Sequence, residues 1–157
     1  MPITLIAVGR MGDMFIRAAQ EYVIRIQPYD RLTMAEVPDQ KEPDKPVPAL
    51  IERAMEKEGI AILNRIKPQD HVIALCIDGK AWDSITFARK LGELRDTGRH
   101  TVFVIGGSLG LHASVTARAD ERLSLSDMTF PHQLARVMLL EQIYRAHKIL
   151  AGERYHK

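Results

Sequence analysis

The sequence predicts an α/β fold, a mostly parallel sheet flanked by helices. Three observations point there. Apolar runs recur along the chain, "ITLIAV", "HVIALCI" and "TVFVIGG", and each is continuous rather than alternating, as in strands covered on both faces. Segments with apolar residues at a helical period lie between them. Strand and helix therefore alternate, the pattern of parallel strands joined by right-handed crossovers.

The elements follow in order. Ile3–Val8 is the first strand, and Asp13–Ile26 is a helix carrying Phe15, Ile16, Ala19, Tyr22, Val23 and Ile26 near a 3.6-residue period. "RLTMAEV" (Arg31–Val37) is a weaker strand. Val37–Pro48 holds four prolines among charged residues and reads as a loop. Pro48–Ile66 is a second helix, with Leu50, Ile51, Ala54, Met55 and Ile62 on its apolar side. His71–Ile77 is a strand, and "DGK" (Asp78–Lys80) forms a turn at its end. A third helix runs from Asp83 to Leu94 with Asp83 or Ser84 as N-cap. Thr101–Gly107 is the fourth strand, and a short helical segment follows its glycines. Leu123 and Leu125 alternate with Ser124 and Ser126 as in a short strand. Pro131 suits the first turn of a last helix, whose apolar set runs from Leu134 and Val137 to Ile149 and Leu150.

With 157 residues the chain reads as a single domain, 1–157, long enough for one good core. It is 46% hydrophobic and 27% charged, and 22 basic against 20 acidic residues leave a net charge of only +2. Distribution says more than the total. Phe130–Lys157 carries Arg136, Arg145, Lys148, Arg154 and Lys157 against Glu141 and Glu153, so a phosphate-rich partner is expected at that end. The lone cysteine, Cys76, lies in an apolar run; it excludes an intramolecular disulfide and a cysteine-based zinc site. No metal is expected. No apolar stretch nears the ~20 residues of a membrane helix, and the N-terminus lacks the charged flank and long apolar run of a signal peptide. The expected setting is cytoplasmic, without a membrane partner.

Chemistry-bearing residues fall in four places. "VIGGSLGLHAS" (Val104–Ser114) puts glycines after a strand, where a ligand can approach main-chain N–H groups. Its G-G-x-x-G spacing is not the dinucleotide fingerprint, and a plain tight turn explains it equally well. "LCIDGKAWDS" (Leu75–Ser84) lies at the carboxyl end of a strand, where open α/β sheets seat ligands. Trp82 there caps a pocket, stacks on a base or simply covers the sheet. In "SLSDMTFPHQLARVMLLEQIYRA" (Ser124–Ala146), His132 and Arg136 share a face near a helix start. The tail "AGERYHK" brings together Arg154, Tyr155, His156 and Lys157, either a frayed end or a clamp for RNA by stacking and phosphate contact.

These stretches, with "AVG" near the start and "YHK" at the close, resemble the RlmH-type methyltransferases of the SPOUT superfamily over essentially the whole chain. The resemblance implies an α/β sheet with a C-terminal trefoil knot. It implies a homodimer that uses S-adenosyl-L-methionine to methylate N3 of a pseudouridine in 23S rRNA, in a stem-loop at the ribosomal subunit interface. Carried over by position, the cofactor pocket comprises Leu75, Gly106, Leu125, Ser126, Asp127, Met128, Thr129 and Phe130. Arg136 and Arg145 are expected to position base or phosphate. His132, Tyr155 and His156 complete the catalytic side, with Arg154 and Lys157 toward the RNA. Many relatives have Pro-Glu after the two glycines; this chain has Ser108-Leu109 and so lacks that carboxylate. Two other readings remain open on the residues alone. One is a non-catalytic ribosome-associated RNA-binding protein. The other is a nucleotide-dependent enzyme using the glycine turn, which would need a basic group there, and Val104–Ala113 offers only His112.

Overall fold

A computed structural model describes residues 1–157. Five strands form one sheet in the order β2-β1-β4-β3-β5, and every pairing is parallel. The strands are β1 (Ile3–Val8), β2 (Leu32–Val37), β3 (His71–Ala81), β4 (Thr101–Ile105) and β5 (Glu121–Ser124). The helices are α1 (Asp13–Ile26), α2 (Pro48–Leu63), α3 (Ser84–Thr97), α4 (Ala113–Arg118) and α5 (His132–Leu150).

The continuous apolar runs are explained by two cores, one on each face. Leu5, Ala7, Ile73, Phe103 and Ile105 point to one side and pack with Ala19 of α1, Leu91 of α3 and Leu139, Leu140 and Ile143 of α5. Their neighbours Ile6, Val8, Val72, Val102 and Val104 point to the other side, against Ile62 of α2 and Val115 of α4. Side chains alternate across a strand, so a strand covered on both faces must be apolar at every position. β2 pairs only with β1. As an edge strand half exposed along its length, it carries the weaker pattern seen in the sequence.

Several boundaries differ from the sequence expectation. α2 stops at Leu63 rather than Ile66, because the chain tightens into turn bonds from Arg65 N to Ile62 O and from Ile66 N to Leu63 O. Asp83, not Ser84, caps α3, its carboxylate accepting from Thr86 N at 2.7 Å, and the helix runs on to Thr97. β4 ends at Ile105, so both glycines lie beyond the strand. Pro131 sits just before α5 rather than inside it.

The largest correction concerns β3. The turn expected at Asp78–Lys80 does not end the strand. Leu75 pairs with Leu123, and after an irregular stretch Lys80 pairs with Leu123 again. Cys76–Gly79 therefore bow out between two contacts on the same β5 residue. Gly79 makes this crossing possible. A Cβ there would lie 2.6 Å from the Leu123 carbonyl carbon and 2.8 Å from Ser124 N.

The proline-rich loop after β2 is tied down by Glu58 of α2, whose Oε2 accepts from Gln40 N at 2.8 Å. Glu58 is buried, and its Oε1 has no partner. Burial, reinforced by the nearby Asp39 charge, raises its carboxyl above the ordinary 4.5, outweighing the Gln40 bond. In the unfolded chain it ionises at the ordinary value. Stability contributed here is therefore full at low pH and falls as pH rises from 4.5 through the higher folded value. Glu58→Gln keeps an acceptor for Gln40 N and removes the buried charge. Thermal unfolding at neutral pH should show a Tm raised by about 2–4 °C, with a shallower decline between weakly acidic and neutral pH. An unchanged pH profile would show that Glu58 ionises freely.

Candidate functional site

The bow in β3 and the carboxyl ends of β4 and β5 meet around a cavity of ≈670 Å³, within the range of small-molecule and cofactor sites. Three chain segments build it. Leu75–Ile77 come from the start of the bow in β3, Ile105–Leu111 from the end of β4 and the glycine turn after it, and Leu123–Ser126 with Met128–His132 from the end of β5, the loop beyond it and the first residue of α5. Each segment has a local reason for its shape. The glycine turn closes on itself, Gly110 N donating to Gly107 O at 3.1 Å. Gly106 lies so close to this closure that a Cβ would stand 2.8 Å from the Gly110 carbonyl carbon and 3.1 Å from Leu111 N. In the last segment Ser124 Oγ donates to Ser126 O at 3.0 Å, and Ser126 Oγ accepts from Met128 N at 3.0 Å. Short serine bonds of this kind hold a loop in a turn.

The family model described as "Predicted SPOUT methyltransferase" matches residues 1–156. The chain belongs to the SPOUT methyltransferase family. A solved structure, "a probable methylase family protein from Haemophilus influenzae Rd KW20", superposes with a TM-score of 0.57 at 12% identity. The superposition covers 99% of this SPOUT chain and 70% of that one, and at this identity it speaks for the fold alone. The five-stranded parallel sheet agrees with the α/β class expected for the family. Members use S-adenosylmethionine in general, and this SPOUT chain is accordingly a methyltransferase.

Of the residues named for the cofactor, Leu75, Gly106, Leu125, Ser126, Met128, Thr129 and Phe130 line the cavity of this SPOUT chain, and Asp127 does not. Cys76, Ile77, Ser108–Leu111, Pro131 and Ala135 also line it and were missed. Their one signal in the sequence is adjacency to the motifs.

His132 also reaches the cavity. Its Nδ1 is buried with no partner. Burial first, and the Arg136 charge second, hold the imidazole below its ordinary 6.5 against the opposing pull of Asp39. The ring is therefore neutral at neutral pH.

Arg136 does not stand where the sequence put it. The four-residue spacing from His132 suggested a side chain facing the ligand, but Arg136 is fully buried. It donates to Val8 O at 2.9 Å and Gly9 O at 2.7 Å, and Glu36 lies 3.8 Å from its other terminal nitrogen. The guanidinium thus caps the carboxyl end of β1 and cannot extend to solvent. A fork of N–H donors suits two adjacent carbonyls.

The tail forms a second group, apart from His132. Tyr155 donates to Glu141 Oε1 at 3.1 Å and meets Tyr144 edge-on at 4.9 Å. Arg145 bonds the same Glu141 oxygen at 2.6 Å, lies 4.7 Å from the Tyr155 ring, and contacts His156 Nδ1 at 3.3 Å. The tail is therefore pinned to α5 rather than frayed. Burial and the Glu141 carboxylate push the Tyr155 phenol above its ordinary 10, so it stays protonated. Arg154 and Lys157 are exposed. No group of three His, Cys, Asp or Glu side chains is arranged to hold a metal ion, and no helix is long and apolar enough to cross a membrane.

Proposed function

We propose that this methyltransferase uses S-adenosyl-L-methionine to methylate N3 of a pseudouridine in 23S rRNA, in the large-subunit stem-loop at the subunit interface, and does so as a cytoplasmic homodimer. One observation carries the reading. The glycine turn and the Leu125–Phe130 loop, separated by α4 and β5 and both named by the resemblance, wall a single cavity beside the bow in β3. The residues present fit the cofactor. Apolar Leu75, Leu125 and Phe130 suit an adenine ring, and the turns after β4 and β5 supply main-chain donors and acceptors around it. Gly106 leaves room that a side chain would fill.

When bound, the cofactor supplies a methyl group activated by its sulfonium. The chain must hold N3 in line behind that methyl and accept the N3 proton. A neutral His132 at the cavity wall accepts it. Tyr155, protonated and fixed by Glu141, offers a hydroxyl but no base at neutral pH. Arg145, Arg154 and Lys157 neutralise RNA phosphates from the α5 side. Arg136 supports the site from behind by holding the end of β1. The trefoil knot belongs to the same proposal, and the double contact of β3 on Leu123 across Gly79 supports it. The homodimer is supported by Ile77 and Met128, apolar side chains of the cavity lining left exposed, and by the exposed Leu134 of α5.

The test is mass spectrometry of rRNA from cells lacking the gene. Loss of one methyl from one 23S pseudouridine, restored by the gene, is expected. An unchanged modification map overturns the substrate and favours a ribosome-associated protein without this activity.

A further inference from the structure

All five strands run parallel, so the turns that lead into them gather at the end of the sheet opposite the cofactor cavity. β3 and β4 are neighbours, which sets the turns before them side by side. Lys67–Asp70 leads into β3 and Gly98–His100 into β4. A cavity of ≈460 Å³ lies at these turns, lined by polar side chains apart from Pro2 and Gly98.

Two guanidinium groups hold the first turn. Arg99 donates from Nε to Gln69 O at 3.2 Å and from Nη2 to Asp70 O at 3.3 Å. Arg118 Nη2 donates to Lys67 O and to Asp70 O, each at 3.0 Å. These acceptors are neutral carbonyls, which fix a guanidinium without cancelling its charge. The carboxylates bordering the turns are already engaged. Asp70 is buried, accepts from Lys67 N at 2.8 Å and lies 3.2 Å from His100 Nδ1. Asp120 lies 3.4 Å from Arg118. The exposed Asp96 does not line the cavity. Lys67 and Arg99 are exposed, line the cavity and enter no ion pair. Arg65, two residues before Lys67, is exposed and likewise unpaired. Against these three cations stands the one buried Asp70. A row of unpaired cations on fixed turns suits the repeating charge of a nucleic-acid backbone. A single small anion calls instead for an enclosed nest of main-chain N–H groups, and this cavity is lined by exposed side chains.

We propose that this cavity is a phosphodiester contact for RNA, remote from the methyl-transfer site. It rests on reading the substrate as RNA and adds a second grip at the far end of the sheet. Lys67 and Arg99 meet backbone oxygens, and Arg65 extends the track. Phosphate contacts carry no sequence information, so this end supplies affinity and orientation while the chemistry stays at the other.

The probes are a labelled RNA stem-loop and ribosomes from cells lacking the gene, each bound by the intact protein over a range of salt. Lys67→Gln removes one charge and no side-chain bond of the fold. RNA affinity should fall about threefold, and the slope of log affinity against log salt should shrink by about 0.7–0.9. Adding Arg99→Gln should bring the loss to about tenfold and double the change in slope. Calorimetric S-adenosylhomocysteine affinity should stay at the parent value in both. If the double variant unfolds, Lys67→Gln alone decides. Unchanged affinity and slope in Lys67→Gln overturn the contact, as does a parent protein that binds neither probe. Saturable binding of inorganic phosphate, lost in Lys67→Gln while RNA affinity holds, shows a small-anion site and also overturns it. Weakened RNA binding in Lys67→Gln, together with an unchanged rRNA modification map in cells lacking the gene, supports the contact and overturns only the pseudouridine reading.

Discussion

Gly79→Ala should destabilise the protein by about 3 kcal/mol or more, a fall in Tm of roughly 6–12 °C. The added methyl carbon would lie 2.6 Å from the Leu123 carbonyl carbon, 2.8 Å from Ser124 N and 2.9 Å from Leu123 N. All three are backbone atoms. A crowded side chain can change rotamer, but crowded backbone moves only by breaking the pairings that Leu75, Lys80 and Ala81 make with β5. Those pairings also set the start of the loop beneath the cavity, so cofactor affinity should fall with stability. Thermal unfolding followed by circular dichroism measures the effect. A Tm within about 2 °C of the parent would mean that β3 and β5 do not approach as closely as described.

Gly106→Val should leave the sheet folded and weaken cofactor binding by about 100-fold or more, a loss of about 2.7 kcal/mol. A side chain here meets the Gly110 carbonyl carbon at 2.8 Å, its oxygen at 3.0 Å and Leu111 N at 3.1 Å. The closure between Gly107 and Gly110 must open, and Gly106–Leu111 forms one wall of the cavity. The cost falls on the site because the turn lies beyond β4, which ends at Ile105. Calorimetry with S-adenosylhomocysteine measures it, with thermal unfolding as the control for folding. Unchanged affinity would remove the glycine turn from the cofactor site.

His132 and Arg136 show how far spacing reaches. Four residues apart on a helix, they were expected to face the same ligand. His132 does reach the cavity, whereas Arg136, one turn on, is enclosed by the end of β1. Helical spacing reports which residues share a face of one element. It is silent about what that face packs against, and here the face passes from a cavity to a strand end within a single turn. Trp82 shows the same reach: the sequence left its role open, and in the fold its ring meets Phe87 at 6.3 Å and lies under Lys90 Nζ at 4.6 Å.

The sequence by itself determined the parallel α/β class and the order of the helices and strands. Those follow from local properties: apolar side chains on both faces of a strand, a 3.6-residue period, capping and turn residues. The tertiary structure alone decided the double contact of β3 on β5, the burial of Arg136 and the pinning of Tyr155 on Glu141. Each depends on groups brought together from distant parts of the chain, Arg136 on Val8 across 128 positions. No local pattern encodes such a contact, because its energy exists only once the two surfaces are packed.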